Sequence, residues 1–262
     1  MGQTVEQIKA LLAAANAEEL AALERSLAAD TRKGVVAALA AARKRMDARL
    51  AELQRLQSMV DFQQQLAEGR GGGVIVGLDE VGRGPLAGPL AVGAVVLPPN
   101  TVLDGLNDSK QLTPEQREET AERIKQTALA WTVQYMQPEE IDACGMTACL
   151  VTAFRRAVAA IEQAGVAVDV VLLDGNPLHM DPREINVVKG DAKCASIAAA
   201  SIVAKVERDN LMIRLAQDFP QYGFDKHKGY GSAFHMAAIR EYGLCPLHRK
   251  SFCTAFDQPT LF

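Results

Sequence analysis

Four carboxylates carry the chemistry open to this sequence: Asp79, Glu80, Asp174 and Asp191. Asp79 and Glu80 stand side by side in Gly77-Leu78-Asp79-Glu80-Val81-Gly82-Arg83-Gly84-Pro85, just after the apolar run Val74-Ile75-Val76. Asp174 closes a second apolar run, Val168 to Gly175, and Asp191 follows Lys189-Gly190 ahead of an alanine-rich stretch. Acids at strand ends and helix starts can converge on one rim of a sheet, where ligands bind. Clustered acids do not all stay ionised without a compensating cation. Hard oxygen donors suit magnesium or manganese rather than zinc. Two such ions about 3.5–4 Å apart align an attacking water and stabilise the leaving oxygen of a phosphodiester, and no histidine base is needed. Gly82 and Gly84 leave bare backbone to approach a phosphate. A single Asp at a strand end is more often a turn or cap residue. The four together, beside Gly-Arg-Gly, point to metal-assisted phosphoryl transfer.

Those acids need a sheet to position them. Val74 to Val76 reads as a buried strand, and Ala91 to Leu97 as its hairpin partner. Leu129 to Met136, Val168 to Gly175 and Glu184 to Val188 predict three more strands. Thr113-Pro114-Glu115-Gln116 opens a helix with an N-cap threonine, proline at the first position and an acidic first turn. Further helices are predicted over Thr147 to Gln163, from Ala192 to about Gln217, and after Gly231. The alternation predicts an α/β fold built on one sheet.

Residues 1–68 differ in kind, being rich in Ala, Leu, Glu, Arg and Gln with no proline. Thr4 with Gln7, and Asn16 with Glu19, form capping boxes that start two helices. A longer helix is predicted from near Arg32 to near Leu66. Val35, Leu39, Met46, Leu50, Leu53, Met59 and Phe62 give it an amphipathic or coiled-coil-like face. Its other face carries Arg32, Lys33, Arg43, Lys44, Arg45, Arg49 and Arg55 against Asp47 and Glu52. That face is either solvated or an accessory nucleic-acid contact or docking surface. Gly69-Arg70-Gly71-Gly72-Gly73 predicts a flexible hinge. It is not a phosphate loop, since no Gly-Lys-Ser/Thr is present and a strand follows. The expected organisation is a helical extension over 1–68, a hinge over 69–73, a catalytic domain over 74–253 and a tail over 254–262.

The 262 residues carry 48% hydrophobic content and a net charge of -4. That balance does not advertise nucleic-acid binding, but a local basic face remains compatible with it. The five cysteines show no CxxC spacing and read as reduced thiols. No run reaches the ~18–20 apolar residues of a membrane span, and the first residues lack the regions of a signal peptide. The expected location is the cytoplasm, away from membranes.

Further segments complete a pattern with the Gly77–Pro89 stretch. They are Asp108-Ser109-Lys110, Leu173-Asp174-Gly175, Lys189-Gly190-Asp191-Ala192-Lys193 running through Ser196 to Asp209, Tyr222-Gly223-Phe224 with His227-Lys228-Gly229-Tyr230-Gly231, and Pro246 to Phe252. Across residues 74–253 the chain resembles bacterial ribonuclease HII, the type 2 ribonuclease H. Asp30 to Val35 is similar to the extension of some Gram-positive members. The resemblance implies a ribonuclease H-like fold, with a central mixed β-sheet flanked by helices and an N-terminal helical extension. It implies cleavage 5′ of ribonucleotides in RNA–DNA hybrids and of single ribonucleotides in duplex DNA, leaving 3′-hydroxyl and 5′-phosphate ends. It casts Asp79, Glu80, Asp174 and Asp191 as catalytic ligands of two Mg2+ or Mn2+ ions.

Gly82, Arg83 and Gly84 match the motif that reads the ribose 2′-hydroxyl, the group that separates RNA from DNA locally. Tyr230 matches the tyrosine that packs on the deoxyribose after the ribonucleotide. Lys110, Lys193, Lys226 and Lys228 are candidates for phosphate contact or solvated surface, and His227 for a backbone or substrate contact. Ser196 and Ser201, on the helix after Asp191, read as packing or capping residues, with a phosphate contact the other reading of Ser196. The sister enzyme, ribonuclease HIII, usually has Gly-Thr-Gly in place of Gly82-Arg83-Gly84. Gly145-Met146 departs from the family's usual Asn-Ile, at a helix entry and not at a catalytic position. A non-catalytic, hybrid-binding adaptor is the rival class, against which the four intact acids argue. Gln258-Pro259-Thr260-Leu261-Phe262 resembles the peptide by which bacterial replication proteins dock on the sliding clamp, with Gln258 as polar anchor and Leu261 and Phe262 as apolar plugs. A frayed or core-docked tail is the other reading.

Overall fold

In a computed structural model the structure describes residues 3–256. Both predicted capping boxes form. Thr4 and Gln7 start α1 (Val5–Ala14), and Asn16 and Glu19 start α2 (Ala17–Ser26). A 36-residue helix, α3 (Lys33–Glu68), follows. By compactness the chain forms two units that divide inside α3, after Gln57. In the first unit Ile8, Leu12, Leu20, Val35 and Ala42 form a small core. Leu50 and Leu53, expected on the apolar face, are exposed. The last turns of α3 belong to the second unit. Ala67, with Phe62 and Leu66, packs against Val170, Leu172, Val187 and Ile197 there.

The second unit is built on a five-stranded mixed sheet in the order β3-β2-β1-β4-β5. β1 (Ile75–Val81) pairs antiparallel with β2 (Leu90–Val96), and β2 with β3 (Ala130–Met136). On its other side β1 runs parallel to β4 (Val170–Asp174), and β4 to β5 (Glu184–Val187). Between β2 and β3 lies α4 (Pro114–Thr127), opened by the predicted Thr113–Gln116 capping box. Two helices, α5 (Pro138–Cys144) and α6 (Met146–Gln163), join β3 to β4, with Gly145 at φ 78° between them.

Side chains alternate across a strand, so each strand serves two layers. Val76 and Leu78 of β1, with Val171 and Leu173 of β4, pack with α6 residues such as Phe154 and Ile161. Gly77 looks the other way, onto α7 (Ala195–Asp218). A Cβ at Gly77 would strike the backbone of Ser196 and Ile197, and one at Gly93 the carbonyl of Ala200. These two absent side chains, with the alanines of α7, let the helix backbone lie directly on the sheet. A short 3-10 turn over Gly190–Ala192 precedes α7, so the helix starts three residues later than the sequence predicts. The single-turn α8 (Phe224–His227) and α9 (Ala233–Tyr242) complete the order. Among the described residues no helix is long and apolar enough to cross a membrane, and no disulfide joins any of the five cysteines.

Candidate active site

Parallel pairing of β1 and β4 brings two of the acids together. Leu78 is registered with Leu173, so Asp79, two residues before the end of β1, and Asp174, the last residue of β4, lie side by side on adjacent strands about 4.8 Å apart. By alternation Asp79 shares the α7 face with Gly77, and Asp174 shares it with Val170 and Leu172. Asp79 is buried, and its Oδ1 accepts the Glu80 N–H at 2.7 Å. Oδ1 of Asp174 accepts the Gly190 N–H at 2.6 Å. That bond ties the β4 end to the turn that carries Asp191. Glu80 Oε1 takes Arg83 Nη1 at 3.0 Å, and Asp191 Oδ2 faces Lys110 Nζ at 3.9 Å. All four sequence-predicted acids thus lie near the carboxyl-terminal ends of β1 and β4, close enough for the Asp174 charge to act on each of the other three.

Their electrostatics are mutual. Burial, reinforced by the Glu80 and Asp174 charges, holds the Asp79 carboxyl well above the usual carboxylate range, against a hydrogen bond from Ser201. Burial also raises Glu80; Arg83 opposes this and Asp174 adds to it. Asp191 is raised by burial and by Asp174 and Asp108, with Lys110 opposing. Like charges sharing a partly desolvated rim resist full ionisation without a cation. Among the described residues no three His, Cys, Asp or Glu side chains close around one metal position as they stand. Each acid instead engages its own local donor. The donor set is nonetheless all oxygen, anionic and self-repelling, which fits a hard divalent cation.

Beside the acids runs the Gly82-Arg83-Gly84 loop. The Arg83 side chain is 61% exposed, with Nη1 on Glu80. A Cβ on Gly84 would lie 4.0 Å from the Tyr230 ring, so the two expected recognition elements are neighbours. Tyr230 is 45% exposed and therefore available to a ligand rather than part of the core. Lys110 is exposed over Asp191. The other candidates are less free. Lys193 Nζ donates to Val188 O at 2.8 Å, and Lys228 Nζ to Asp225 O. His227 bonds Tyr222 O through Nε2 at 2.7 Å and accepts the Gly229 N–H on Nδ1. Ser196 is only 1% exposed, and its Oγ has no partner. Its N–H donates to Gln63 Oε1 at 2.9 Å. At its place under the sheet Ser196 is a buried first-turn residue that α3 caps, not a surface group facing a phosphate. Lys226 is exposed on α8.

Sequence reasoning assigned no role to Asp108, Arg208 or Arg249, and it reads Ser201 as a packing or capping residue. Asp108 adds charge to Asp191, and Ser201 Oγ lies 3.2 Å from Ser109 Oγ beneath the rim. Arg208 and Arg249 are fully buried. A signal for Arg208 exists: it follows Ile197, Ser201 and Ala204 at helical spacing, on the stripe that packs inward.

The family described as ribonuclease HII matches residues 76–255, and the family described as ribonuclease HII N-terminal domain matches residues 4–67. The chain is 43% identical over 207 residues to the ribonuclease HII of Ruminiclostridium cellulolyticum, covering 78% of this chain and 79% of that one. It is 39% identical over 249 residues to the ribonuclease HII of Halalkalibacterium halodurans, covering 95% and 93%. Among solved structures it resembles the ribonuclease HII of the PCNA:RNase HII complex from Archaeoglobus fulgidus, with a TM-score of 0.59 and 26% identity over 71% of this chain and 98% of that one.

Proposed function

The chain belongs to the ribonuclease HII family and is an endoribonuclease of RNA–DNA hybrids; from that premise we propose that it cuts the phosphodiester 5′ of a ribonucleotide, also where a single ribonucleotide is embedded in duplex DNA, leaving 3′-hydroxyl and 5′-phosphate ends. The observation that carries this reading is the adjacency of four rim acids, a glycine-flanked loop and an exposed tyrosine. The acids offer cutting, and the loop and tyrosine offer a choice of where to cut.

Asp79, Glu80, Asp174 and Asp191 would hold two divalent cations, Mg2+ or Mn2+. When bound, such ions supply an activated water and charge stabilisation on the leaving oxygen. The chain's own groups do the rest. The short strands β1 and β4 fix Asp79 and Asp174, and the Gly190 N–H fixes the rotamer of Asp174. Arg83 steadies Glu80, and Gly84 next to it lies beside the Tyr230 ring. That ring offers a flat apolar surface to a sugar lacking a 2′-hydroxyl, which favours DNA as the next nucleotide. Lys110 stands exposed beside Asp191, placed to meet a phosphate.

Asp79→Asn tests the catalytic half of the reading. It keeps the shape of the side chain while removing its charge. Binding of a one-ribonucleotide duplex is expected to stay within about threefold, and cleavage to fall by about a hundredfold or more. Wild-type cleavage rates in Asp79→Asn would sink the assignment.

Gln258, Leu261 and Phe262 lie outside the described residues. We propose that they dock on the bacterial sliding clamp. The spacing of the peptide supports this, as does the fact that the archaeal relative was solved as a PCNA complex. Loss of clamp binding on Leu261→Ala with Phe262→Ala, with cleavage unchanged, is the expected result.

A further inference from the structure

Two arginines lie at the heart of the recognition side, and neither touches substrate-facing surface. Arg208, on α7, and Arg249 are both 0% exposed, and among the described residues neither forms an ion pair. A buried guanidinium without a carboxylate is costly, so its hydrogen bonds must be made to neutral groups. All of those found are backbone carbonyls of two loops. Arg249 donates from Nη2 to Gly82 O at 2.6 Å, from Nη1 to Arg83 O at 3.0 Å and from Nε to Gly88 O at 2.9 Å. Arg208 donates from Nε to Pro89 O at 2.9 Å and from Nη2 to Ala87 O at 3.5 Å. Its Nη1 reaches Lys228 O at 3.1 Å, two residues before Tyr230.

Peptide planarity gives these bonds a consequence on the far side of the loop. Across a trans peptide the C=O of one residue and the N–H of the next point in opposite directions, and among the described residues no peptide is cis. With Gly82 O and Arg83 O drawn inward to Arg249, the N–H groups of Arg83 and Gly84 point outward. Gly82 itself sits at φ +91°, and a Cβ there would strike the Arg208 guanidinium. The glycine is therefore needed on the inner face, for the arginine to approach, as well as for the turn. Phe252 lies under the Arg249 guanidinium at 5.3 Å and fixes its plane.

We infer that Arg249 and Arg208 are positioning residues for ribonucleotide recognition, holding the Gly82–Pro89 loop with its N–H groups turned toward the sugar and tying that loop to the one bearing Tyr230. Arginine suits this task because its planar fork holds several carbonyls in a fixed geometry, which a lysine ammonium does not. The inference rests on the loop being the ribose reader.

The test measures binding in an Asp79→Asn background, where cleavage is slow against the binding measurement. Affinity is compared for a duplex with one ribonucleotide and for the same duplex in all-DNA form. Arg249→Lys keeps the charge and loses the fork. The ratio of the two affinities is expected to fall about tenfold, with all-DNA binding held within about twofold, because phosphate attraction depends on charge and sugar reading on loop geometry. Phe252→Leu, a milder change that leaves the arginine in place, is expected to lower the ratio about threefold. An unchanged ratio in folded Arg249→Lys overturns the inference. So does an equal loss of both affinities, which marks a general structural role. Should Arg249→Lys fail to fold, an unchanged ratio in Phe252→Leu overturns it instead. A background protein that does not itself distinguish the two duplexes contradicts the ribose-reader assignment, a separate failure.

Discussion

At the scale of residues, the four acids act through one another. Asp79 is buried among like charges, so a bound divalent cation relieves a repulsion the fold otherwise carries. Millimolar Mg2+ or Mn2+ is expected to raise the thermal midpoint of the wild type by several degrees, about what 1 kcal/mol of linkage gives in a domain of this size. Asp79→Asn is expected to melt higher than the wild type without metal and to respond little to it. A wild type whose midpoint ignores both ions would contradict the grouping of the acids as ligands. Tyr230→Ala probes the other half of the site. Removing an exposed ring beside Gly84 is expected to lower kcat/KM on a one-ribonucleotide duplex about tenfold, and on a continuous hybrid much less. Equal losses on both substrates would remove its role in reading the junction. Asp79 and Asp174 are legible in the sequence because each ends an apolar run. Arg208 and Arg249 are not, since arginine ordinarily reads as surface. The carbonyls they hold lie as far as 167 residues away in the chain.

Secondary-structure elements bring the acids together through parallel neighbours and close helix packing. Apolar runs, capping boxes and the Thr113-Pro114 start predict the strands and most helices to within a few residues. Less legible is where one unit ends. A glycine run looks like a boundary, yet Phe62, Gln63, Leu66 and Ala67 of α3 precede it and serve the sheet. Gln63 Oε1 takes the Ser196 N–H in the first turn of α7, where a helix leaves donors unpaired. Two truncations separate the cases. Removal of residues 1–68 is expected to cost roughly 3 kcal/mol more stability than removal of residues 1–57, through lost apolar burial and the lost cap. Denaturant unfolding reads the difference, and equal stabilities would show that the end of α3 contributes nothing to the second unit. On the basic face of α3, Arg43 pairs with Glu24, Arg45 with Leu12 O and Arg55 with Glu52. Three of the seven basic residues on the face that reads as a nucleic-acid contact are thus engaged within the extension itself.

At the scale of the whole molecule, histidines tie the Tyr230 loop to the segment that precedes Arg249. Cys245 N–H donates to His248 Nδ1, and His235 Nδ1 bonds Tyr230 O. The Nε2 atoms of the two rings meet at 3.1 Å. This chain of bonds works only if both rings are neutral: His248 donates through Nε2 and His235 donates to Tyr230 O. Burial holds His248 down at about 4 and lowers His235 as well. Unfolded histidines take up a proton near pH 6.5, so the unfolded chain gains protons first as the pH drops. The stability these rings contribute is complete above about pH 6.5 and is lost as pH falls toward 4. Asp79, Glu80 and Asp191, whose carboxyls are raised, act in the opposite direction. The comparison is therefore with His248→Gln, whose stability is expected to depend less steeply on pH across this window; parallel pH profiles would contradict the neutral relay. Rim acids, loop and tyrosine converge on one central claim: the molecule cuts where a ribonucleotide meets DNA. The direct measurement is the pair of strand ends released from a duplex containing a single ribonucleotide, with Mg2+ or Mn2+ present. One cut, 5′ of the ribonucleotide, leaving a DNA 3′-hydroxyl and a 5′-phosphate on the ribonucleotide, is the predicted result. An uncut duplex, or a cut on the 3′ side, would contradict it.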